Sequence, residues 1–390
     1  MLFSLFYHSL ISDWNHGNAH FLRGICTELL AQGHQVQVFE RANGWSVRNL
    51  REEQGSGALD EFQRAYPQLS SRPYEPEDLR GGDSLPTGDS LADRSVVADR
   101  SVVHLDRMLG NSDVVIVHEW NDPELVRRIG QHRAGARYRL LFHDTHHRAV
   151  SAPQEMMAYD LSGYDGVLAF GEVLRRIYLE RGWANRAWVW HEAADVRVFN
   201  PQQCPSGKSL DLVWVGNWGD GERAHELHEF LIDPVRALGL RARIHGVRYP
   251  PQALTELAAA GIEYAGWIAN FHVPRVFAGA HTTVHVPRRF YREQLPGIPT
   301  IRMFEALASG IALVSAPWED SEALFQPGHD YLVAKNGPQM REHLRALRAD
   351  PEYARALAEH GLRTVRSRHT CAHRVRELLS ICHELGLEGG

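Results

Sequence analysis

Cysteine is scarce in this sequence, and its few copies are not arranged in pairs. Only four occur among 390 residues, and no two of them form a CxxC pair. Such sparse cysteines exclude a disulfide-stapled framework and a structural zinc site, and they are typical of a reducing compartment. We therefore expect a cytoplasmic protein without a structural metal. The four are Cys26, Cys204, Cys371 and Cys382.

The amino terminus lacks the features of a targeting segment. MLFSLFYHSLI has no basic region and no cleavage site, and it is too short to span a bilayer. We interpret it as a first buried strand and expect no transmembrane segment. The net charge of −6 likewise indicates no general affinity for nucleic acid or for a membrane surface.

Two nucleotide-binding motifs are missing as well. The sequence has no GxGxxG, so the dinucleotide-binding fingerprint is absent. It also has no clustered DxD motif at a predicted strand end, which a metal-bridged diphosphate would need. We therefore expect chemistry without a metal ion and without a bound cofactor.

What the chain does contain is an alternation of strands and helices that occurs twice. A strand at 2–7, a helix at 19–32 and the strand HQVQVFE form one βαβ unit, and the pattern restarts at residue 210 after a polar linker at 193–209. This predicts an α/β protein with two Rossmann-like domains facing across a cleft, whose ligands bind at the carboxyl ends of strands. The predicted domains are 1–195, 203–370 and a last helix, 371–390, that packs back on the first.

Residues 45–110 fit this pattern less well and resemble an insertion. They are polar and mostly helical by pattern, and they contain ADRSVV twice, at 92–97 and 98–103. GDSL also occurs twice, at 82–85 and 88–91. A GDSL lipase needs a strand–nucleophile–helix context that is absent here, so we interpret the region as a variable surface segment.

Polar side chains collect where the strands of the first half end. The HDTHH stretch among them has three open interpretations: a structural loop, a catalytic or acceptor contact, or a metal site. In the loop after the first strand, a glycine can let the backbone approach a ligand. The catalytic candidates are His118, Glu119, Asp144 and His146, and the acceptor or sugar candidates are His16, Gly17 and Asn18.

The stretch 295–320 predicts an anion site. A Pro- and Gly-rich loop around Gly297 precedes a helix predicted over 300–309. The start of such a helix offers free backbone N–H groups and the positive end of its dipole, which suit a phosphate. Glu305, one turn inside, suits a ribose diol. The alternative is an ordinary α/β unit with a solvated glutamate.

Three arginines in PRRFYREQLPG stand directly before that helix. Arginine can hold a diphosphate bidentately and stabilise a leaving nucleotide, although a solvated basic loop is the alternative. The donor-binding candidates are Glu305, Arg302, Thr300, Gly297, Arg288, Arg289, Arg292, Arg223, Asn217 and Gly216.

Several segments resemble a known family. GIPTIRMFEALASGIALVSAPWEDSEALFQPGHDYL resembles the "G-x-x-x-R-x-F-E-A-x-A-x-G" core of the CgeB/YkvP-like "glycosyl transferases group 1" domain, which belongs to the GT-B glycosyltransferases. HEAADVRVFNP resembles the hinge of retaining GT-B enzymes, and HGNAHFLRGICTELLAQGHQVQVF resembles their first βαβ unit. The resemblance covers nearly the whole chain apart from about 45–110 and is strongest over 287–380.

The resemblance implies a transferase that moves a sugar from a nucleoside diphosphate donor to an unidentified acceptor. In the family, the glutamate at position 305 binds the ribose, and the preceding loop and helix start hold the pyrophosphate. Retaining members usually carry E-x7-E, whose first glutamate would fall at Gly297 here. This departure concerns how the donor sugar is held and whether configuration is retained. A nucleotide-sugar epimerase on the same fold and a non-catalytic sugar- or surface-layer-binding protein stay open as alternatives.

Overall fold

The computed structural model describes residues 1–75, 105–205, 207–219 and 221–387, which divide into two compact α/β units. The first unit comprises Met1–Ser12, Cys26–Trp190 and Val375–Gly390, and the second comprises Asp13–Ile25 and His191–Arg374. The loop residues that follow the first strand, from Asp13 onward, thus belong with the second unit. The domain boundaries given above stay a prediction.

The first unit is built on seven parallel strands. In chain order they are β1 (Leu2–Phe6), β2 (Gln35–Arg41), β3 (Ser71–Tyr74), β4 (Val114–His118), β5 (Arg139–Asp144), β6 (Gly166–Ala169) and β7 (Ala187–Val189). Their order in the sheet is β3-β2-β1-β4-β5-β6-β7, with Leu2 opposite Gln35 and Phe3 opposite Val114. The strand order reverses between β1 and β4, and in such sheets ligands bind beyond the carboxyl ends of the strands at this point.

The second unit repeats this arrangement with six parallel strands. They are β8 (Leu210–Val215), β9 (Ala242–His245), β10 (Ile262–Tyr264), β11 (Ala280–His285), β12 (Ala312–Ser315) and β13 (Leu332–Val333). Their order is β10-β9-β8-β11-β12-β13, so the reversal falls between β8 and β11. Leu212, Ile244, Val284 and Val314 pack into one apolar core on a face of this sheet. Apolar strands covered on both faces are typical of parallel sheets.

Helices connect the strands, as parallel pairing requires. Asp122, Asn336 and Asp350 cap three of them by accepting a hydrogen bond from a first-turn N–H group. In chain order the described helices are Ala19–Ala31, Trp45–Gln54, Gly57–Ala65, Pro123–Arg133, Arg148–Ser151, Pro153–Met156, Glu172–Glu180, Ala224–Leu227, Asp233–Leu238, Pro251–Ala259, Val273–Ala278, Arg289–Glu293, Ile301–Ala308, Gly337–Ala349, Pro351–Arg368 and Cys371–Glu384.

Some local predictions were wrong. The sequence pattern predicts a strand over 138–150, but β5 ends at Asp144, whose carboxylate accepts the His146 N–H and turns the chain toward a short helix. The pattern also predicts one helix over 224–238, but this stretch contains a π-helical turn at His228–Ile232, just before Pro234, which has no N–H to donate. The arginine loop contains a five-residue helix, and β3 was not predicted within the helical region.

Two sequence features lie outside the described residues. Both GDSL copies and the repeated ADRSVV segment at 92–103 fall in the undescribed range 76–104, so their interpretation stays a prediction. Among the residues that are described, no helix combines the length and the apolar character needed to cross a membrane.

Close backbone packing makes Gly163 a sensitive position in the first unit. A Cβ there would lie 2.4 Å from the carbonyl oxygen of Gly130 and 2.7 Å from its carbonyl carbon. Because backbone atoms cannot move aside cheaply, we expect Gly163→Ala to lower the free energy of unfolding by about 1–3 kcal/mol. Chemical denaturation measures this value. Gly57→Ala is the matched control, since a Cβ at Gly57 meets no atom within 4 Å, and equal effects of both substitutions would contradict the packing argument.

Candidate functional site

The helix Ile301–Ala308 connects β11 to β12 and begins without a side-chain cap. Thr300 occupies the N-cap position, but its hydroxyl makes no capping hydrogen bond. Instead Thr300 Oγ1 lies 3.0 Å from His285 Nε2, at the end of β11. The side chain that usually satisfies the first N–H groups of a helix is therefore engaged elsewhere. An anion at this helix start could accept those N–H groups.

Glu305, one turn into this helix, is completely buried and holds three donors. His20 Nδ1 and Asn270 Nδ2 each lie 3.0 Å from Glu305 Oε1, and Arg302 forms an ion pair with Oε2. Burial alone would raise the pKa of Glu305, but Arg302 and the hydrogen bonds from His20 and Asn270 lower it below its ordinary value. The carboxylate is therefore ionised at neutral pH and is tied into the protein.

The hydrogen bonds of His20 assign its protons. Its Nε2 accepts the backbone N–H of Asp195 at 2.8 Å, so the proton of the neutral ring is on Nδ1 and is donated to Glu305. The ring also stacks on Phe199, with centroids 4.0 Å apart. Neither His20 nor Asn270 was predicted from the sequence. The only available signal was a histidine near the start of an apolar helix.

The segment that contains His20 is fixed by a second buried carboxylate. Asp13 accepts the Asn270 N–H at 2.9 Å, the Trp267 Nε1–H at 3.2 Å and the Arg23 guanidinium at 2.9 Å. Residues 13–25 are thus bonded to the loop that leads toward β11, in the same unit as the predicted donor residues.

Three sugar or acceptor candidates lie in this segment. His16 is buried, and Asn18 and Gly17 are half-buried. A Cβ on Gly17 would lie 3.5 Å from the Ile301 side chain, so the glycine stands at the start of the anion-site helix. The spacing is an ordinary contact, so the fold does not require glycine there.

The loop after β8 brings two donor candidates to the same region. Asn217 donates to Asn15 Oδ1 at 2.7 Å and accepts the Val247 N–H at 2.9 Å. The preceding Gly216 leaves no room for a side chain, because a Cβ would lie 2.6 Å from the Trp214 ring. Both residues are therefore part of the local framework, and ligand contact through them is a prediction.

Arg223 is buried under this loop and is surrounded by carbonyl groups. It donates to the carbonyl oxygens of Asn217 and, at 3.1 Å, Val286. Burial, together with the positive charges of Arg288 and Arg302, lowers the pKa of Arg223 to about 10. Arg288 and Arg302 are therefore close enough to oppose the charge of Arg223 near the carboxyl ends of β8 and β11.

The arginines of the predicted loop have carboxylate partners. Arg288 pairs with Glu222 at 2.9 Å, whereas Arg289 and Arg292 share Glu226 at 3.2 and 3.8 Å. The structure therefore separates the three: Arg288 belongs to the repelling cluster around Arg223, and the other two belong to a more exposed network.

Gly297 cannot be replaced by glutamate without local rearrangement. Its φ is +86°, and a Cβ would lie 2.7 Å from Ser321 Oγ and 2.8 Å from Glu322 Oε1. The position is thus already bordered by a carboxylate from another loop. Glu322 Oε2 in turn lies 2.9 Å from His191 Nε2. Sequence reasoning identified the missing acid but not this neighbour.

In the first unit, three of the four catalytic candidates are completely buried. Glu119 contacts His118 Nε2 at 2.9 Å and accepts the Thr145 hydroxyl at 3.0 Å. Asp144 accepts the Tyr178 hydroxyl at 2.7 Å. Since a catalytic group must reach the reacting proton, burial favours a structural role for these three side chains. Only His146 is partly exposed.

The buried cluster has displaced pKa values. Burial raises the pKa of Glu119 to about 7, and burial together with the nearby Glu119 raises that of Asp144 to about 7. Burial and the charge of Arg148 lower the pKa of His118 to about 3. Across residues 1–75, 105–205, 207–219 and 221–387, no group of three or more His, Cys, Asp or Glu side chains is arranged to hold a metal ion.

A comparison with protein families bears directly on the arginine-rich part of the chain. The model of a family described as "Glycosyl transferase-like" matches residues 223–380, which include Arg223, Arg288 and Glu305. That part of the chain is therefore similar to a glycosyl transferase-like domain. No curated protein sequence matches the chain significantly.

Solved structures place this domain in a known fold. Sucrose-phosphate synthase from Thermosynechococcus elongatus is 13% identical over 99% of both chains, with a TM-score of 0.67. A glycosyltransferase from Rickettsia africae is 11% identical over 99% of both chains, with a TM-score of 0.66. Anabaena HepE, in complex with UDP-glucose, is 13% identical over 98% of this chain and 100% of its own, with a TM-score of 0.68. The chain has the GT-B fold, and together with the family-model match over residues 223–380 this supports a transferase.

The raised pKa of Glu119 predicts a pH dependence of stability. The folded state keeps the Glu119 proton up to about pH 7, whereas the unfolded state loses it near its ordinary pKa. The contribution of Glu119 to the free energy of unfolding is therefore largest at low pH and is lost as pH rises from about 4.5 to 7. Glu119→Gln does not have this loss. We therefore expect its free energy of unfolding, relative to that of wild type, to rise by on the order of 2 kcal/mol between pH 5 and pH 7, measured by denaturation at both values.

The control for this measurement is Glu342→Gln, which neutralises an exposed carboxylate on the helix Gly337–Ala349. The difference in free energy of unfolding between Glu342→Gln and wild type should hardly change between the two pH values. An equal change in both variants would show that net charge, rather than burial of Glu119, sets the pH dependence.

Proposed function

We propose that this chain transfers a sugar from a nucleoside diphosphate donor held by the second unit to an acceptor held by the first. We further propose that the reaction retains the configuration of the donor sugar, needs no metal ion and belongs to the CgeB/YkvP-like branch. Three solved structures of Anabaena HepE, which has a similar fold, contain UDP, UDP with glucose, or UDP-glucose, which supports a nucleotide-sugar donor.

The observation that carries this proposal is the crowding of positive charge beside an uncapped helix start. Arg288 and Arg302 both oppose the charge of Arg223, and Glu222 and Glu305 supply two carboxylates for these three cations. A diphosphate supplies the missing negative charge and accepts hydrogen bonds from the first N–H groups of the helix Ile301–Ala308.

The same groups can assist bond breakage. The acceptor oxygen forms a bond to C1 of the sugar while the bond from C1 to the diphosphate oxygen breaks. The nucleoside diphosphate leaves with the electron pair, and the acceptor proton passes to that departing phosphate. Cations and helix N–H groups stabilise this developing charge, which is the basis for proposing metal-independent transfer.

Glu305 retains capacity for one ligand contact. A carboxylate has about four lone-pair directions, and three are used by His20, Asn270 and Arg302. Because Glu305 is completely buried, a ribose hydroxyl reaches the remaining direction on Oε2 only if the partly exposed Arg302 side chain gives way. We propose this contact as an addition to the structural role of Glu305. Removing the carboxylate would also leave buried donors without an acceptor, so Glu305→Ala would destabilise the fold as well as binding.

Glu322 is our candidate for the acid that Gly297 lacks. Its carboxylate borders the space above Gly297, and His191 holds it in place. We propose that it accepts hydroxyl groups of the donor sugar from there. The anomeric configuration of the product, determined from the proton coupling constant, tests retention separately.

Arg288 should matter more for nucleotide binding than its neighbour in sequence. Arg288→Gln removes a member of the cationic cluster and leaves Glu222 uncompensated, so we expect UDP affinity to fall tenfold or more. Arg289→Gln is the matched control, because that side chain is exposed and its partner Glu226 keeps Arg292. Isothermal titration with UDP measures both. Equal, salt-sensitive losses would show that the loop attracts ligands only through its general field.

Turnover should persist in excess EDTA. UDP-glucose hydrolysis, followed by release of UDP with and without the chelator, provides the measurement before the acceptor is known. Loss of turnover that Mn²⁺ restores would contradict the metal-independent proposal. Formation of an epimer of glucose in place of hydrolysis would favour an epimerase, and undetectable UDP binding would favour a non-catalytic binding protein.

A further inference from the structure

The first unit contains a cavity of about 580 Å³ that no role assigned so far explains. It lies where Tyr7 and His8 follow β1, Trp45 follows β2 and Trp120 follows β4. This is the reversal point of the first sheet, where open α/β sheets bind ligands. Its volume is in the roughly 300–1,000 Å³ range of small-molecule sites.

Two tryptophans give the cavity an exposed aromatic surface. Trp45 is 40% exposed and Trp120 is 41% exposed. Within the described part of the chain, only Met157 and Tyr353 are comparably exposed large hydrophobic residues, and neither lines the cavity. Exposed indole surface around a concavity marks a binding site more often than scattered apolar residues do.

The loop that carries Trp120 is held rigidly. Asn121 Nδ2 donates to the carbonyl oxygens of Phe6 and His118, both at 2.8 Å, and Asn121 Oδ1 accepts the Tyr74 hydroxyl at 3.0 Å. The Arg148 guanidinium lies 4.2 Å from the Trp120 ring centre. A ring positioned in this way loses little conformational entropy when a ligand stacks on it.

The charges of the lining do not favour an anion. Arg41 and Arg148 face three carboxylates, those of Asp122, Glu124 and Glu155, so negative charge is in slight excess. Burial and the nearby His118 lower the pKa of His8 to about 4, which leaves that ring neutral at pH 7. Charged groups around aromatic rings suit a ligand with an apolar face and many hydroxyl groups.

We propose that this cavity binds a neutral oligosaccharide, with sugar rings stacked on Trp45 and Trp120 and hydroxyl groups bonded to the charged lining. A flat aromatic compound would stack equally well but would make fewer hydrogen bonds to the polar lining. The oligosaccharide is the acceptor of the transfer. That identification rests on the proposed function, whereas sugar binding by the cavity does not.

The test uses the full chain with maltose, cellobiose and N,N′-diacetylchitobiose as neutral probes. A uronic acid-containing disaccharide and 2-naphthol represent an anionic and a flat aromatic ligand. Saturation-transfer NMR detects weak binding, and tryptophan fluorescence gives the affinity. We expect at least one neutral disaccharide to bind, and Trp45→Ala and Trp120→Ala each to weaken it tenfold or more. Trp120→Phe replaces Trp120→Ala if the latter unfolds and should give a smaller loss.

Tyr353→Ala is the matched control, because it removes an equally exposed aromatic ring outside the cavity. The affinity of this variant for the disaccharide should stay within twofold of that of wild type. UDP affinity is measured in the same samples. Sugar binding without UDP binding would support the pocket proposal and contradict the proposed nucleotide-sugar donor. UDP binding with no neutral disaccharide bound, or with only the uronate or 2-naphthol bound, would overturn the pocket proposal alone.

Discussion

The ionised carboxylate of Glu305 is the constraint on which the polar structure of the second unit depends. A buried charge is costly unless it is paired, and this one is satisfied by side chains from three separate segments. This single carboxylate therefore fixes the positions of His20, of the loop at Asn270 and of the Arg302 guanidinium. The last of these lies at the start of an uncapped helix. Its lowered pKa shows that these partners outweigh the cost of burial.

Fixing Arg302 in this way has an electrostatic consequence. It keeps a cation near Arg223, whose charge is opposed by both Arg302 and Arg288. A bound diphosphate would remove part of this repulsion, so ligand binding and stability should be coupled through these three side chains. A solvated basic loop would show no such coupling, because its charges would be screened individually.

Periodicity was sufficient for most of the fold. It predicted the helix at 301–308 to within one residue at each end and the alternation of strands that builds both sheets. It could not show which strand-end residues are reachable, because His118 and Asp144 follow the same pattern whether they face solvent or lie buried. Nor could it pair His20 with Glu305, which are 285 positions apart, since local spacing carries no information about that contact.

The buried residues at the strand ends nevertheless serve the exposed ones. The contacts of Asn121 with Phe6, His118 and Tyr74 hold the loop that presents Trp120, which could not stay exposed and fixed on a mobile chain. The two units thus meet opposite physical demands at equivalent points of their sheets. A diphosphate needs fixed positive charge, whereas a hydroxyl-bearing acceptor suits a lining of aromatic rings and charges of both signs, without an excess of positive charge. Separating the two environments into different sheets allows each to be preorganised without weakening the other.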